Sequence, residues 1–321
     1  MAKAEVTIVD IANALGISKT TVSSALHGSG RVSERTRIKV KATADSMGYV
    51  SNRAAQRLRG GQYHTIGLQI PSDVRDLPFY AEFAFGAAAV AAEHEKDLLL
   101  LSGPANERRH ALAIDGLLAI DPTPDTFSSD IAKRYPFPVV TVGPYEGPGA
   151  DDVAATVSAD HKVLVKKVLQ ELKRRGSSNP GLVATGERSE PTWMARIIDG
   201  YNEWCSDFGI ETWVYRSPVT PSDEDIIEVL DSAQSRDSLL WMVQGPATRA
   251  EALATRQGKC LQMATMVLEA SSSHVVGIDL RAREYGRTAV ELLLGVLTDT
   301  VSPGTHVVHA AELVVPITNQ P

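Results

Sequence analysis

The chain holds only two cysteines, Cys205 and Cys260, in 321 residues. Neither sits in a CxxC pair or near a matching pair of histidines, so no zinc site is expected. Both read as buried free thiols of a reducing cytoplasm. Long apolar runs are lacking too. Leu98 to Leu101 is far too short to span a membrane. The opening "MAKAEVTIVD" has no apolar h-region, so a signal peptide is not expected and a cytoplasmic location is.

Catalytic signatures are equally scarce. There is no GxGxxG after an expected strand and no GxxxxGK[ST], which disfavours a nucleotide enzyme. Gly28-Ser29-Gly30 closes a helix rather than opening one. The eight histidines are scattered. His306 and His309 lie three apart in an expected strand and so point to opposite faces. Asp223-Glu224-Asp225 reads as the acidic first turn of a helix. With no nucleophile–base pair in view, the reading is a non-enzyme with no cofactor and no metal.

What is present is an ordinary globular composition, 43% apolar and 22% charged. The length suggests more than one domain. Charge is unevenly spread. Residues 1–62 hold ten Lys and Arg against four Asp and Glu, while the remainder holds 22 against 35. A basic head suits a polyanion, and an acidic body repels one.

Residues 1–50 read as three short helices. Thr7 caps the first, with Asp10 three residues on as a capping box. Gly16 breaks it. Ser18 caps a second helix, with Val22, Ala25 and Leu26 inward, and Gly28 and Gly30 end it. Ser33 starts a third, which Gly48 ends. Two helices joined by a short glycine-containing turn make a helix-turn-helix. The second helix then offers Ser18, Lys19, Thr20, Ser23, Ser24 and His27 on its outer face, able to reach base edges or phosphates. "SNRAAQRLRGGQ" (residues 51–62) carries three arginines, no acid and one large apolar residue, Leu58. Alone it buries too little to be stable, so it reads as a linker or a segment that folds on a partner.

From residue 63 to 321, strand-like runs alternate with helical ones. Strands are expected near 65–70, 98–102, 117–120, 139–142, 153–158, 182–185, 213–215, 239–243 and 261–266. Helices are expected near 79–94, 161–175, 192–208, 223–235, 247–256 and 283–297. This alternation implies α/β lobes with parallel sheets covered on both faces. The segment is long for one sheet, so two lobes with a ligand cleft at the carboxyl ends of the strands are expected.

"TIVDIANALGISKTTVSSALHGSGRVSERTRIKVKATADSMGYVSNRAAQRL" (Thr7 to Leu58) resembles the opening of the LacI/GalR family of bacterial transcription regulators, at fixed spacing over some fifty positions. The resemblance implies a two-lobed body like type I periplasmic sugar-binding proteins. It implies a homodimer, with a tetramer left open, on palindromic double-stranded operator DNA. Lys19 and Thr20 fill the variable pair that reads bases. Ser24 stands where the family usually has Arg, and His27 where it has Asn. Thr7, Ser18, Ser23, Ser33 and Thr36 match phosphate-positioning groups, and Arg31 joins this DNA-facing set. Residues 51–62 match a hinge helix that orders on DNA. In it Ala55 and Leu58 enter the minor groove, with Leu58 the wedge, and Asn52, Arg53, Gln56 and Arg59 hold the flanking backbone.

In the body, "TIGLQIP", "DLPFYAEFAFG", "IDGLLAIDP", "FPVVTVG", "VSADHKVLVKKVLQELKRRG" and "GIDLRAREYGRTAVELLLG" resemble family segments. A small-molecule effector, a sugar or related metabolite, is implied in the cleft. Its candidate contacts are Phe79, Tyr80, Asp160, Arg196, Trp241 and Asp279, each equally readable as core or surface. The pocket departs from the family pattern. Ile197 stands where an effector-gripping Arg is usual, with Arg196 one residue off. Gly176-Ser177 replaces the usual Gly-His, and "LWMVQGP" (Leu240–Pro246) replaces a polar signature. A regulator with a degenerate pocket and no sugar effector therefore stays open. A transport-type binding protein is the remaining rival, but it has no use for residues 1–62.

Overall fold

A computed structural model of the chain describes residues 6–26, 32–49, 62–71, 77–101, 112–124, 127, 137–186, 191–268 and 275–316. The chain divides into two compact units, Met1–Tyr63 and His64–Pro321.

The first unit contains α1 (Ile8–Leu15), α2 (Lys19–Leu26) and α3 (Glu34–Met47). Each start follows from a side chain that serves orphan backbone N–H groups. Thr7 and Asp10 form the reciprocal capping box, with the Thr7 N–H donating to the Asp10 carboxylate at 2.8 Å. Ser18 Oγ accepts the Thr21 N–H at 3.0 Å, and Ser33 Oγ accepts that of Thr36 at 3.3 Å. Gly16 and Gly48 close α1 and α3 at φ 64° and 68°, in the left-handed region that suits glycine. Ile11, Ala12, Val22, Ala25, Val40 and Ala44 form the core between the helices.

The second unit is two α/β lobes. In order it runs β1 (Thr65–Gln69), α4 (Pro78–Glu93), β2 (Asp97–Leu101), β3 (Gly116–Ile120), β4 (Val139–Val142) and β5 (Ala155–Ser158). Then come α5 (His161–Arg174), β6 (Pro180–Thr185), α6 (Thr192–Asp207), β7 (Val214–Ser217), α7 (Asp223–Ser232), β8 (Ser238–Trp241), α8 (Gln244–Arg256), β9 (Gln262–Thr265) and β10 (Val276–Asp279). Finally α9 (Ala282–Leu297), β11 (Thr305–Val308) and β12 (Glu312–Val314) complete it. The first sheet has the order β11-β5-β4-β3-β1-β2, all parallel. The second has the order β12-β10-β9-β8-β6-β7, parallel except for the antiparallel β12. The chain passes between lobes after β5, after β10 and after β11.

Two helices clasp the first lobe at a glycine crossing. A Cβ on Gly86 of α4 would meet the Arg283 carbonyl oxygen, and one on Gly286 of α9 would meet that of Phe83. Only hydrogen at these positions lets the backbones touch. This contact seats Tyr285 against Phe83, ring centroids 5.7 Å apart.

Several sequence expectations shift. β10 and β12 fall outside the expected strands; both are short segments of three or four residues. α8 begins at Gln244 rather than 247, and α7 ends at Ser232 rather than 235. Cys205 is buried, but Cys260 is exposed, because it lies in the turn before β9 enters the sheet. Among the described residues, no helix is long and apolar enough to cross a membrane, and no cluster of His, Cys, Asp and Glu forms a metal site.

Candidate nucleic-acid interface and interlobe cleft

On the head, Ser18, Lys19 and Thr20 are exposed at the start of α2 and Ser24 is half-buried. Thr7 and Ser33 are exposed at the starts of α1 and α3, and Thr36 is half-buried beside Ser33. Three capped helix starts present backbone N–H groups and hydroxyls outward, an arrangement suited to phosphate oxygens. The hydroxyls are already engaged locally: Ser18 with Thr21 at 2.8 Å and Ser33 with Thr36 at 2.8 Å. Ser23 departs from the outer face expected of it. It is buried, because it falls at the edge of the arc that Val22, Ala25 and Leu26 turn inward. His27, Arg31, Asn52, Arg53, Ala55, Gln56, Leu58 and Arg59 lie outside the described residues.

In the body, the carboxyl ends of the two sheets face each other across a cavity of about 50 Å³, or about 580 Å³ when its open mouth is included. The first lobe supplies Phe79 and Tyr80 from the first turn of α4, Asp121 after β3, Gly143 after β4, and Tyr285 from α9. The second supplies His161 at the head of α5, Trp193 at the head of α6, and Val243, Val267 and Leu280 after its strands. This is where open α/β sheets bind ligands. Tyr80 donates to Asp121 at 2.7 Å. Asp121 itself holds φ 44°, a conformation few non-glycine residues adopt but one that Asp tolerates. Tyr285 accepts the Ala159 N–H at 3.0 Å and stacks on His309, centroids 4.1 Å apart, at the crossings between lobes. Burial pushes its phenol up. Burial pulls the His161 imidazole down to about 4, against the opposing charge of Asp160, so the ring is neutral at physiological pH.

Of the six candidate effector contacts, the cavity gathers Phe79 and Tyr80. Asp160 is exposed and caps α5, accepting the Val163 N–H at 3.1 Å. Arg196 is paired with Glu146, a residue of the loop after β4, so it spans from the second lobe to the first. Trp241 is fully buried on the other side of the second sheet, against Leu239, Ala247 and Ala250. Asp279 accepts the Arg281 N–H at 2.7 Å and shapes the turn into α9. Ile197 is a core residue with no exposure. Asp121, His161, Trp193 and Tyr285 were not anticipated. Asp121 directly follows an expected strand, and the strand-end rule points to it. His161 and Trp193 open expected helices, a weaker signal.

The family model "Bacterial regulatory proteins, lacI family" matches residues 7–52. The maltose regulon regulatory protein MalI of Escherichia coli (strain K12) is 34% identical over 217 residues, 64% of this chain and 61% of that protein. The chain spans about three fifths of the length of the curated relatives it matches. A lac repressor dimer bound to operator and the anti-inducer ONPF superposes with TM-score 0.76 at 18% identity, covering 97% of this chain and 98% of that one. A transcriptional regulator CelR–cellobiose complex gives 0.68 at 20%, covering 97% and 99%. At these identities the structures establish the fold: a helical head followed by two parallel-sheet lobes. Residues 7–52 are thus similar to the lacI family of bacterial regulatory proteins.

Proposed function

We propose that the chain is a cytoplasmic, sequence-specific DNA-binding transcription repressor whose operator affinity is set by a small molecule in the interlobe cleft. The observation that carries this reading is the exposed start of α2, Lys19 and Thr20, on a basic head matched to the lacI family. That helix enters the major groove. Residues 1–50 are the DNA-reading domain, 51–62 the hinge, and 63–321 the effector and dimerisation domain. Two heads of a homodimer read a palindrome, with protein symmetry mirrored in the operator. An exposed apolar surface supports pairing: Phe85 on α4 is 60% exposed, and Leu99 and Leu100 are exposed on β2, an edge strand beside it. A ligand that favours one lobe arrangement shifts the population of DNA-competent dimers.

The test is selection of bound duplexes from a random pool by the full-length chain at fixed, near-physiological salt. Recovery of a palindrome with a flexible central step is the expected result. Recovery of a motif without two-fold symmetry removes the dimeric reading. Salt-sensitive binding with no motif removes sequence recognition.

A further inference from the structure

Among the described residues, seven buried side-chain polar atoms have no hydrogen-bond partner, and two of them belong to one cavity. They are His161 Nδ1 and Trp193 Nε1, on rings 5.8 Å apart at the heads of α5 and α6. His161 is only 9% exposed. A buried indole N–H or imidazole nitrogen without a partner is costly, and a ligand atom that pairs with it recovers that cost. Opposite them, Phe79, Tyr80 and Tyr285 form an aromatic wall, with Phe79–Tyr80 centroids 5.2 Å and Phe79–Tyr285 centroids 6.3 Å apart.

The rest of the described lining is aliphatic, apart from Asp121 and Gly143. Among the described residues it holds no Arg, Lys, Asn or Gln. A monosaccharide carries an oxygen on nearly every carbon, and each must find a partner once stripped of water. The described lining supplies few partners.

We propose that the cleft takes a flat, mostly apolar molecule with a hydrogen-bond-accepting edge, such as a one-ring aromatic carbonyl compound, rather than a sugar. Its ring lies between the Phe79–Tyr80–Tyr285 wall and the His161–Trp193 wall, and its acceptor takes the Trp193 Nε1–H. This rests on the reading of the cleft as the effector site.

The experiment compares four kinds of probe on the full-length chain by calorimetry and thermal melting: acetophenone, toluene, phenethylamine, and the sugars glucose and cellobiose. Acetophenone at tenfold its Kd should raise the melting temperature by about 3 °C or more. Trp193→Phe, which keeps the ring and removes the N–H, should weaken acetophenone five- to tenfold and leave toluene unchanged. Trp204→Phe, a change outside the cleft, should leave both unchanged. Equal binding of toluene and acetophenone overturns the accepting edge. Tightest binding by a sugar or by phenethylamine overturns the ligand class and keeps the cleft as the effector site. No shift with any probe also overturns the ligand class. Duplex selection is read separately, so a recovered palindrome in that case leaves the DNA-binding reading standing.

Discussion

In the head, the outward polar groups are held by near neighbours in the chain: Thr7 by Asp10, Ser18 by Thr21, Ser33 by Thr36. In the cleft, the groups that meet range from Leu77 to Tyr285 along the chain. They are brought together by both sheets and by the return of α9 to the first lobe. Local bonds fail one at a time and cost one cap each. A site assembled by long-range packing fails as a whole when a distant contact is spoiled. The two regions should therefore respond very differently to single substitutions.

The largest effect is expected from Gly86→Val. The added carbon meets the Arg283 backbone, and neither helix can yield without displacing Tyr285. A loss of about 3 kcal/mol or more is expected, at the upper end for overpacking because the obstacle is backbone. All four tryptophans lie beyond residue 190, so tryptophan fluorescence in a urea titration reports the body alone. A loss below about 1 kcal/mol would show that α4 and α9 separate cheaply and would erase the contrast.

His161 gives the next effect. Its folded pKa of about 4 lies below the ordinary 6.5, so the unfolded chain takes the proton first. Stability is full above about pH 6.5 and falls as pH drops through that value, levelling off near 4. The drop should be on the order of 3 kcal/mol. His161→Asn should flatten this part of the pH profile. An unchanged slope would assign it to other groups.

The two regions were also unequally legible in the sequence. In the head, caps, glycine stops and apolar spacing are all short-range signals, and α1, α2 and α3 start at the residues they indicated. Ser23 lies at the edge of a narrow buried arc, where spacing alone leaves the facing ambiguous. In the body, the order of strands and helices was readable, but the cleft was not. β8 is buried along its whole length, so alternation could not reveal that Leu240 joins the interlobe core while Trp241 joins the outer one. Asp160 and Asp279 were sensible candidates by residue type, yet their carboxylates are used in a helix cap and a turn. Arg196 is outside the described cavity lining and is paired with Glu146. Tyr285 belongs to the site only because Gly86 and Gly286 bring α9 close, a relation no local pattern encodes.

Two DNA-side predictions sharpen the head's half of the comparison. Leu58, the expected hinge wedge, should matter only where DNA can be kinked. Leu58→Ala should lower operator affinity about ten- to a hundredfold and leave random-sequence binding nearly unchanged, as read by titrations at one salt concentration. Equal losses on both would remove the wedge. Lys19→Ala separates two kinds of contact. A base contact predicts a changed selected sequence, with about tenfold less discrimination at one position. A phosphate contact predicts uniform weakening and a salt slope lower by about one.

The smallest effect tests whether a cap residue has a second task. Ser33 Oγ accepts the Thr36 N–H and touches the Thr36 hydroxyl, so its helix-starting role is visible. Ser33→Ala should cost the head about 1 kcal/mol, and Ser33→Gly only a few tenths, because glycine is a tolerable cap. Thermal melts followed by circular dichroism at the helical band check the order. DNA affinity then divides the roles. If Ser33 only caps, affinity recovers with stability in the glycine variant. If the hydroxyl also holds a phosphate, both variants bind DNA more weakly by the same factor, whatever their stability. The second outcome would mean that one local bond serves both the fold and the partner, and that the head's robustness to single changes ends where its DNA contacts begin.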